Sequence, residues 1–242
     1  MDDQHKKEVL LKAQDWFRDT ISKNHIKNTK KLSNPDAFHI NPFLTVYLAN
    51  FLTGDASPES IAKALIYPRV LGTSITTSFG QNMQSFASKV LSSFGSTTRG
   101  IDIEFDDAVD GLKKYCQLKA GPNTINKDDV ETISNHFKSI KNLARTNNLN
   151  LGYNNLIVGV LYGHENDLSS HYKSITQKYD YPVLIGQDFW TRLTGDINFY
   201  HDLIKSIGII AKEANFTHEL EEVIAHLAGT PEIQDLAKEI SG

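Results

Sequence analysis

Asp102, Gln117 and Lys119 combine an acid, an amide and an amine, and their spacing predicts that they lie together. They occupy two segments, residues 101–105 and 115–120, each of which alternates apolar and polar side chains as half-buried strands do. Because side chains alternate between the faces of a strand, a hairpin with its apolar residues inward places all three polar groups on one face. An acid, an amide oxygen and an ammonium held together suit metal-assisted hydrolysis of a phosphodiester.

Oxygen ligands of this kind predict a Mg²⁺ site, because Mg²⁺ prefers hard oxygen donors. The Asp102 carboxylate supplies the anionic ligand, the Gln117 amide a neutral oxygen, and the backbone carbonyl of Leu118 a third. Lys119 then lies where an ammonium activates an attacking water or stabilises charge on the phosphate. The sequence therefore predicts Asp102, Gln117 and Lys119 as catalytic residues, and Asp102, Gln117 and Leu118 as metal ligands.

The same segments resemble a known nuclease motif. Asp102 followed by Gln117-Leu118-Lys119 is similar to the PD-(D/E)xK motif, in the variant where glutamine replaces the second carboxylate. The stretches GIDIEF from Gly100 and QLKAGPN from Gln117 resemble those of a subset of type II restriction endonucleases, as do residues 182–190 and 193–196. The resemblance extends over residues 74–211.

This resemblance implies an enzyme of a restriction-modification system, a homodimer that makes Mg²⁺-dependent double-strand cuts at a short palindromic DNA sequence. The chain departs from the family pattern at two positions, because Ile101 stands where proline is usual and Gln117 removes one negative charge from the metal site. Glu104, or an acid elsewhere, is the predicted auxiliary group that compensates. The helix before the first strand offers Gln84 or Gln81 where the family carries a polar or acidic residue.

Polar residues around the hairpin are the predicted DNA contacts. Four of them follow the second strand and lead into a helix whose amino end can receive a phosphate, although helix capping explains their types equally well. Of the other two, Arg99 precedes the first strand and His164 follows a later strand. For both, the alternative interpretation is a residue of an ordinary polar loop. The predicted DNA-binding residues are Arg99, Asn123, Thr124, Asn126, Lys127 and His164.

Three other interpretations of the chain stay open. A PD-(D/E)xK nuclease of DNA repair or junction resolution would share the site but cut structured or non-specific DNA. A non-catalytic DNA-binding module of the same fold is favoured by the glutamine at position 117. An unrelated α/β protein whose hairpin only imitates the motif would have no affinity for DNA. Fragment patterns and binding assays distinguish these interpretations.

The secondary structure around these residues predicts an α/β fold with a central mixed sheet flanked by helices, as in restriction endonucleases. An N-terminal helical region precedes this sheet. Residues 156–161 form a continuous apolar run, typical of a strand buried on both faces, and residues 182–186 form another. Between the hairpin and the apolar run over 156–161, a stripe of apolar residues at helical spacing predicts a helix over 127–147. We expect a helical N-terminal subdomain over 1–70 and a nuclease core domain over 71–242.

Helix boundaries are marked most clearly in the N-terminal region. Asn41-Pro42 and Ser57-Pro58 each place a capping residue before a proline, which predicts two helix starts. Residues 23–34 are polar, which predicts a loop or a frayed end. Residues 203–210, rich in isoleucine and leucine, are a candidate dimer face, with burial inside the monomer as the alternative.

Composition is that of a globular protein, since the 242 residues are 40% hydrophobic and 22% charged. The net charge of −4 weakens the case for a DNA partner, yet residues 213–242 hold seven acids and one lysine, which leaves the remaining chain net positive. No apolar run reaches the ~18 residues of a membrane span. With no secretion signal and only Cys116 as a cysteine, we expect a cytoplasmic protein without a membrane partner.

Overall fold

The structure is a computed structural model that describes residues 1–148, 150–214 and 216–241. Its strands are β1 (Ile103–Asp106), β2 (Lys113–Lys119), β3 (Leu156–Val160) and β4 (Val183–Ile185). Its α-helices in the described residues are α1 (Asp3–Trp16), α2 (Lys23–Lys30), α3 (Pro42–Thr53), α4 (Pro58–Pro68), α5 (Ser74–Gln81), α6 (Met83–Lys89), α7 (Lys127–Thr146), α8 (Ser170–Tyr179), α9 (Gly186–Thr194), α10 (Phe199–Ala214), α11 (Thr217–Ala228) and α12 (Pro231–Ser241).

The four strands form one mixed sheet in the order β1-β2-β3-β4. β1 and β2 are antiparallel, with Ile103 opposite Cys116 and Glu104 opposite Tyr115, whereas β2, β3 and β4 are parallel. Parallel neighbours need crossover connections, and α7 and α8 lie in those two connections. A central mixed sheet with flanking helices and further helices before it in the chain confirms the predicted α/β class.

Buried side chains of the hairpin follow the predicted alternation. Ile103, Phe105 and Cys116 point into the core, and every residue of β3 is buried. At Gly159 in β3 a Cβ atom would lie 2.5 Å from Cε2 of Phe189 and 2.8 Å from Sγ of Cys116. A glycine at this position therefore lets α9 approach the sheet closely.

α7 begins with a capping box that fixes its first turn. Asp129 donates its backbone N–H to Oδ1 of Asn126 at 3.0 Å, and Oδ2 of Asp129 accepts the backbone N–H of Asn126 at 2.8 Å. The buried stripe of the helix contains Val130, Ile133, Phe137, Ile140 and Ala144. All of these except Ala144 belong to the same hydrophobic cluster as residues of β3, so the stripe holds α7 against the sheet.

The predicted caps of the N-terminal helices are confirmed. Asn41 Oδ1 accepts the backbone N–H of Leu44 at 3.3 Å at the start of α3, and Ser57 Oγ accepts that of Ser60 at 3.3 Å at the start of α4. α3 ends at Gly54, whose φ of 84° is the left-handed conformation that favours glycine.

Two helices lie where the sequence predicts none. α2 occupies residues of the predicted loop over 23–34, so that prediction is wrong for residues 23–30. α2 buries only Thr29, which leaves no apolar stripe to reveal it, and a hydrogen bond of 2.9 Å joins His25 Nε2 to the Val70 carbonyl. α8 similarly buries only Tyr172 and Ile175, too few for a recognisable period.

The chain divides into two compact units that each combine separate stretches of sequence. One unit consists of Met1–Trp16 and Gly80–Gly208 and contains the sheet; the other consists of Phe17–Phe79 and Ile209–Gly242 and is helical. The core of the helical unit is formed by Leu32, Ala49, Ile61, Ala62, Ala64, Ile66, Val70, Val223, Ile224, Leu227, Ala228, Ile233, Leu236 and Ala237. None of the described helices has the length and apolarity that a bilayer crossing requires.

This division differs from the expected boundary at residue 70. α1 belongs to the sheet unit, where Lys6 Nζ contacts Asp196 Oδ2 at 2.5 Å and Asp202 Oδ2 at 2.7 Å. C-terminal helices, in turn, belong to the helical unit. A single boundary in the sequence cannot express such long-range pairing. The assignment of the nuclease domain to residues 71–242 stays a prediction.

Candidate active site

A cavity of about 290 Å³ opens where the β1–β2 hairpin meets α6 and α7. Its walls come from four places in the chain, all within the sheet unit. The lining residues are Gln84, Gly100, Ile101, Asp102, Gln117, Lys119, Asp129, Thr132, Ile133 and His136. The structure thus brings the three predicted catalytic side chains into one cavity, and it adds Gln84, the predicted auxiliary residue of the preceding helix.

Asp102 is tied to β2 through both its backbone and its side chain. Its backbone N–H donates to the Cys116 carbonyl at 3.0 Å, and its Oδ2 atom accepts the backbone N–H of Leu118 at 2.7 Å. Carbonyls two residues apart on a strand point the same way, so the Leu118 carbonyl faces the same edge as the Cys116 carbonyl. The carboxylate of Asp102 and the carbonyl of Leu118 therefore lie on one edge of β2.

The electrostatic environment of Asp102 is unfavourable for its negative charge. Burial raises the pKa of the carboxyl group, and the Leu118 N–H and the charge of Lys119 only partly oppose this, so the pKa lies above its usual value. A buried carboxylate of this kind is stabilised by a further positive charge.

Gln117 is held by two hydrogen bonds at the back of the cavity, and its side chain is buried. Its Nε2 atom donates to the Gly100 carbonyl at 2.5 Å and lies 2.8 Å from Nδ1 of His136. Since the nitrogen is used in this way, the amide oxygen is the atom that can bind a cation. Gly100 has a φ of +82°, and a Cβ there would lie 3.1 Å from Cγ and Nδ1 of His136, so this position needs glycine.

α7 contributes three polar residues that the sequence reasoning missed: Asp129, Thr132 and His136. Their spacing of three and then four residues places them on one helix face, next to the buried Ile133. That spacing beside the apolar stripe was the available signal. Asp129 is the second carboxylate of the cavity and fits the predicted compensating acid better than Glu104 does.

Glu104 does not line the cavity. Its Oε1 atom accepts hydrogen bonds from Ser96 Oγ at 2.5 Å and Thr98 Oγ1 at 2.9 Å, and Oε2 lies 3.5 Å from Lys113 Nζ. Burial acts to raise the pKa of Glu104, but these hydrogen bonds and the Lys113 charge outweigh it, so the pKa lies below its usual value. These contacts tie Glu104 to the loop that precedes β1.

The six predicted DNA-binding residues lie outside the lining of the cavity. Asn126 uses its side chain to cap α7. Thr124 donates through Oγ1 to the Gly121 carbonyl at 2.8 Å and lies 3.1 Å from the Tyr172 hydroxyl. The other four, Arg99, Asn123, Lys127 and His164, are exposed. Their contact with DNA stays a prediction.

The donors in the cavity are chiefly oxygen atoms. In the part of the chain that the structure describes, no group of three or more His, Cys, Asp or Glu side chains is placed to hold a metal ion. The cavity instead combines two carboxylates, Asp102 and Asp129, with the amide of Gln117 and the nearby Leu118 carbonyl. This donor set fits Mg²⁺, which prefers oxygen and retains several water ligands.

Comparison with protein families identifies a match over most of the chain. The model of a family described as type II restriction endonuclease EcoO109I matches residues 14–215, which is most of the chain and includes every residue that lines the cavity. Among curated proteins, none matches this sequence.

Proposed function

The chain belongs to the EcoO109I family of type II restriction endonucleases, which is of the PD-(D/E)xK type, and on that premise we propose that it makes Mg²⁺-dependent double-strand cuts in DNA at a short palindromic sequence. The observation that carries this proposal is the convergence of Asp102, Gln117 and Lys119 in one cavity. Gln117 and Lys119 lie in β2, and Asp102 immediately precedes β1.

Asp102, the amide oxygen of Gln117 and the carbonyl of Leu118 would hold the metal ion. When bound, Mg²⁺ polarises the phosphate and lowers the pKa of a coordinated water. The raised pKa of Asp102 is consistent with this role, since a cation beside the carboxylate offsets the cost of its burial. Asp129 adds a second negative charge to the cavity, which compensates for the glutamine at the position of a carboxylate.

Lys119 is the cationic side chain among the lining residues. In the proposed reaction its ammonium orients the attacking water and stabilises the negative charge that accumulates on the phosphate oxygens. Lys119 lies two positions after Gln117, so strand alternation keeps both on the same face of β2. His136 and Gly100 hold the amide of Gln117 and thereby position its oxygen.

A palindromic site implies a homodimer, because the two-fold symmetry of the protein then matches that of the DNA. This part of the proposal is supported better by the exposed face of α3 than by the predicted dimer face over 203–210. That segment buries Leu203, Ser206 and Ile210 and exposes only Ile204 and Ile209 among its large apolar residues. Six large apolar residues of α3 are exposed: Phe43, Leu44, Tyr47, Leu48, Phe51 and Leu52.

The size of this α3 face fits a protein interface. Its most exposed residues are Phe43 at 88% and Phe51 at 78% of their full accessible surface. At about 150–250 Å² for a full aromatic side chain, the three aromatic residues alone present several hundred Å². This is a large part of the ~800 Å² that each partner contributes to a standard interface. Apolar patches larger than a few hundred Å² are uncommon on monomers and mark interaction sites.

The proposal is tested by digestion of a sequenced plasmid in Mg²⁺, with and without EDTA, followed by mapping of the fragment ends. We expect discrete fragments whose ends share one palindromic sequence, and no cleavage in EDTA. Lys119→Met should reduce the rate about 100-fold or more, as expected on loss of a group that stabilises transition-state charge. Lys205→Met, at an exposed position on α10, is the matched control and should cut normally.

Each other outcome identifies one of the alternatives. Fragment ends without a common sequence would indicate a repair or junction-resolving nuclease. Sequence-specific binding without cleavage would indicate a non-catalytic module. Full activity of a folded Lys119→Met or Asp102→Asn variant would refute the assignment of the site.

A further inference from the structure

A second, larger cleft of about 510 Å³ lies in the sheet unit, apart from the residues of the catalytic cavity. It is formed by the C-terminal half of α7, the end of α8 and the segment around Tyr153. We call it the basic cleft, and its lining residues are Lys138, Lys141, Asn142, Arg145, Tyr153, Lys178, Tyr179, Asp180 and Tyr181. We propose that the basic cleft binds the sugar-phosphate backbone of a duplex DNA segment other than the one in the catalytic cavity.

The charge of the basic cleft is positive and poorly compensated. Its four cations, Lys138, Lys141, Arg145 and Lys178, face one acid in the lining, Asp180. Among the described residues, none of the four cations forms an ion pair with a carboxylate within 4.0 Å. In a chain whose net charge is −4, such a concentration of unpaired cations creates a local attraction for a polyanion.

Aromatic rings hold two of these ammonium groups in place. Lys141 Nζ lies 3.3 Å from the centroid of the Tyr153 ring, and Lys138 Nζ lies 5.2 Å from that of Tyr179. Tyr181, which is buried, packs 5.6 Å from Tyr153 and so supports that ring. The two lysines cover these ring faces, which favours contact with phosphates over base stacking, and hence favours a duplex over a single strand.

The spacing of the cations matches a phosphate backbone. Lys138, Lys141 and Arg145 are separated by three and four residues, so they form one row on α7. At 1.5 Å per residue the row is about 10 Å long. One strand of duplex DNA carries a phosphate every ~3.4 Å along its axis, so the row extends over about three phosphates.

The basic cleft and the catalytic cavity lie on opposite sides of α7. Residues nine positions apart on an α-helix are separated by about two and a half turns, and therefore point in opposite directions. Asp129 and Lys138 are related in this way, and so are His136 and Arg145. A duplex seated at the catalytic cavity contacts one side of the helix, which leaves the other side for a second segment. Such a segment would keep the protein close to DNA between cleavage events.

The test measures binding of a fluorescent, non-cognate 20-base-pair duplex to the full chain by anisotropy over a range of salt concentrations, in EDTA. The test variant replaces Lys138, Lys141, Arg145 and Lys178 by glutamine. We expect at least a tenfold weaker affinity at low salt, and a slope of log K against log[salt] that is smaller by about three, since each lost phosphate contact removes ~0.9. The control variant loses the same charge from dispersed exposed lysines: Lys7, Lys89, Lys173 and Lys205.

The proposal would be overturned if the test variant bound DNA with the affinity and salt slope of the wild type. It would also be overturned if the control variant lost as much affinity as the test variant. If the four-residue variant does not fold, Arg145→Gln with Lys178→Gln leaves both lysine–tyrosine contacts intact and should still lose about half of the expected slope. Inorganic tripolyphosphate is the probe for a small-anion pocket, and its binding to the cleft without duplex binding would also refute the proposal.

The proposal rests on the proposed function only for the choice of DNA as the polyanion. Plasmid digestion in Mg²⁺ is a separate readout, so failure of the basic cleft and failure of the proposed endonuclease are distinguishable.

Discussion

Nε2 of Gln117 lies 2.8 Å from Nδ1 of His136, and this contact links strand β2 to helix α7 at the catalytic cavity. The Gly100 carbonyl, which can only accept, is the second partner of Nε2. The Gln117 nitrogen is therefore the donor in both contacts, and Nδ1 of His136 is the acceptor. His136 is a positioning residue in this arrangement, because it orients the amide whose oxygen faces a metal ion in the proposed reaction.

His136→Ala should reduce DNA cleavage by about 10- to 100-fold, the usual cost of losing a residue that orients a metal ligand. The expected mark of a positioning role is a higher Mg²⁺ requirement, measured as cleavage rate against Mg²⁺ concentration. His136→Asn keeps an acceptor and should recover part of the loss. Asn135→Ala alters the exposed neighbour of His136 on α7 and should behave as wild type. An unchanged Mg²⁺ requirement in His136→Ala would contradict the role.

Asp129→Asn should raise the Mg²⁺ requirement more than Glu104→Gln does. Asp129 lines the cavity, whereas Glu104 is bonded to Ser96 and Thr98 in the loop before β1. Asparagine at 129 keeps an oxygen for the backbone N–H of Asn126, so the capping box survives while the charge is lost. Cleavage rates over a Mg²⁺ titration give the comparison. If Glu104→Gln proves the more harmful change, Glu104 is the compensating acid after all.

Gly100→Ala should lower both stability and activity. The left-handed φ of Gly100 costs an alanine about 1–2 kcal/mol. The new methyl group would also press on the His136 ring and disturb the Gln117 amide. Gly72→Ala is the control, since nothing lies within 4 Å of a Cβ there and its helical segment should gain stability. Denaturant unfolding and cleavage rates test both variants, and an active, fully stable Gly100→Ala protein would exclude this account.

Charge placed on the exposed face of α3 should dissociate the proposed dimer. Phe51→Glu, next to the stacked Tyr47, sets two like charges near the symmetry axis of an interface formed by two copies of α3. Sedimentation velocity should then show a shift from dimer to monomer. Leu11→Glu, an equally apolar exposed position on α1, should leave the dimer intact. A dimer that survives Phe51→Glu would place the interface elsewhere.

The hairpin was predictable because its information is local. Alternation alone assigns Asp102, Gln117 and Lys119 to one face, and all three line the cavity. Alternation also assigns Glu104 to that face, but it cannot show that Ser96 and Thr98 engage its carboxylate. A period of two residues identifies the face of the strand on which a side chain lies. It does not identify which neighbouring groups that side chain contacts at its position along the strand.

The contribution of α7 was harder to predict because it depends on tertiary packing. His136 is an exposed residue on a helix whose apolar stripe is recognisable in the sequence. The sequence does not indicate, however, that this helix packs next to the hairpin and contributes to the same cavity. The grouping of α1 with the sheet unit depends on tertiary packing in the same way, since it involves contacts such as Lys6 with Asp196. Capping signals are contained within four residues, and those of α3 and α4 were correct.

Cys116 offers a built-in reporter for the strand that carries Gln117. It is the sole cysteine of the sequence, it lies fully buried beside Gly159, and burial raises the pKa of its thiol well above the usual value. A thiol-reactive dye can therefore modify the protein only when β2 separates from its neighbours. The labelling rate would give the opening frequency of this strand, with no introduced probe and under the same conditions as a cleavage assay.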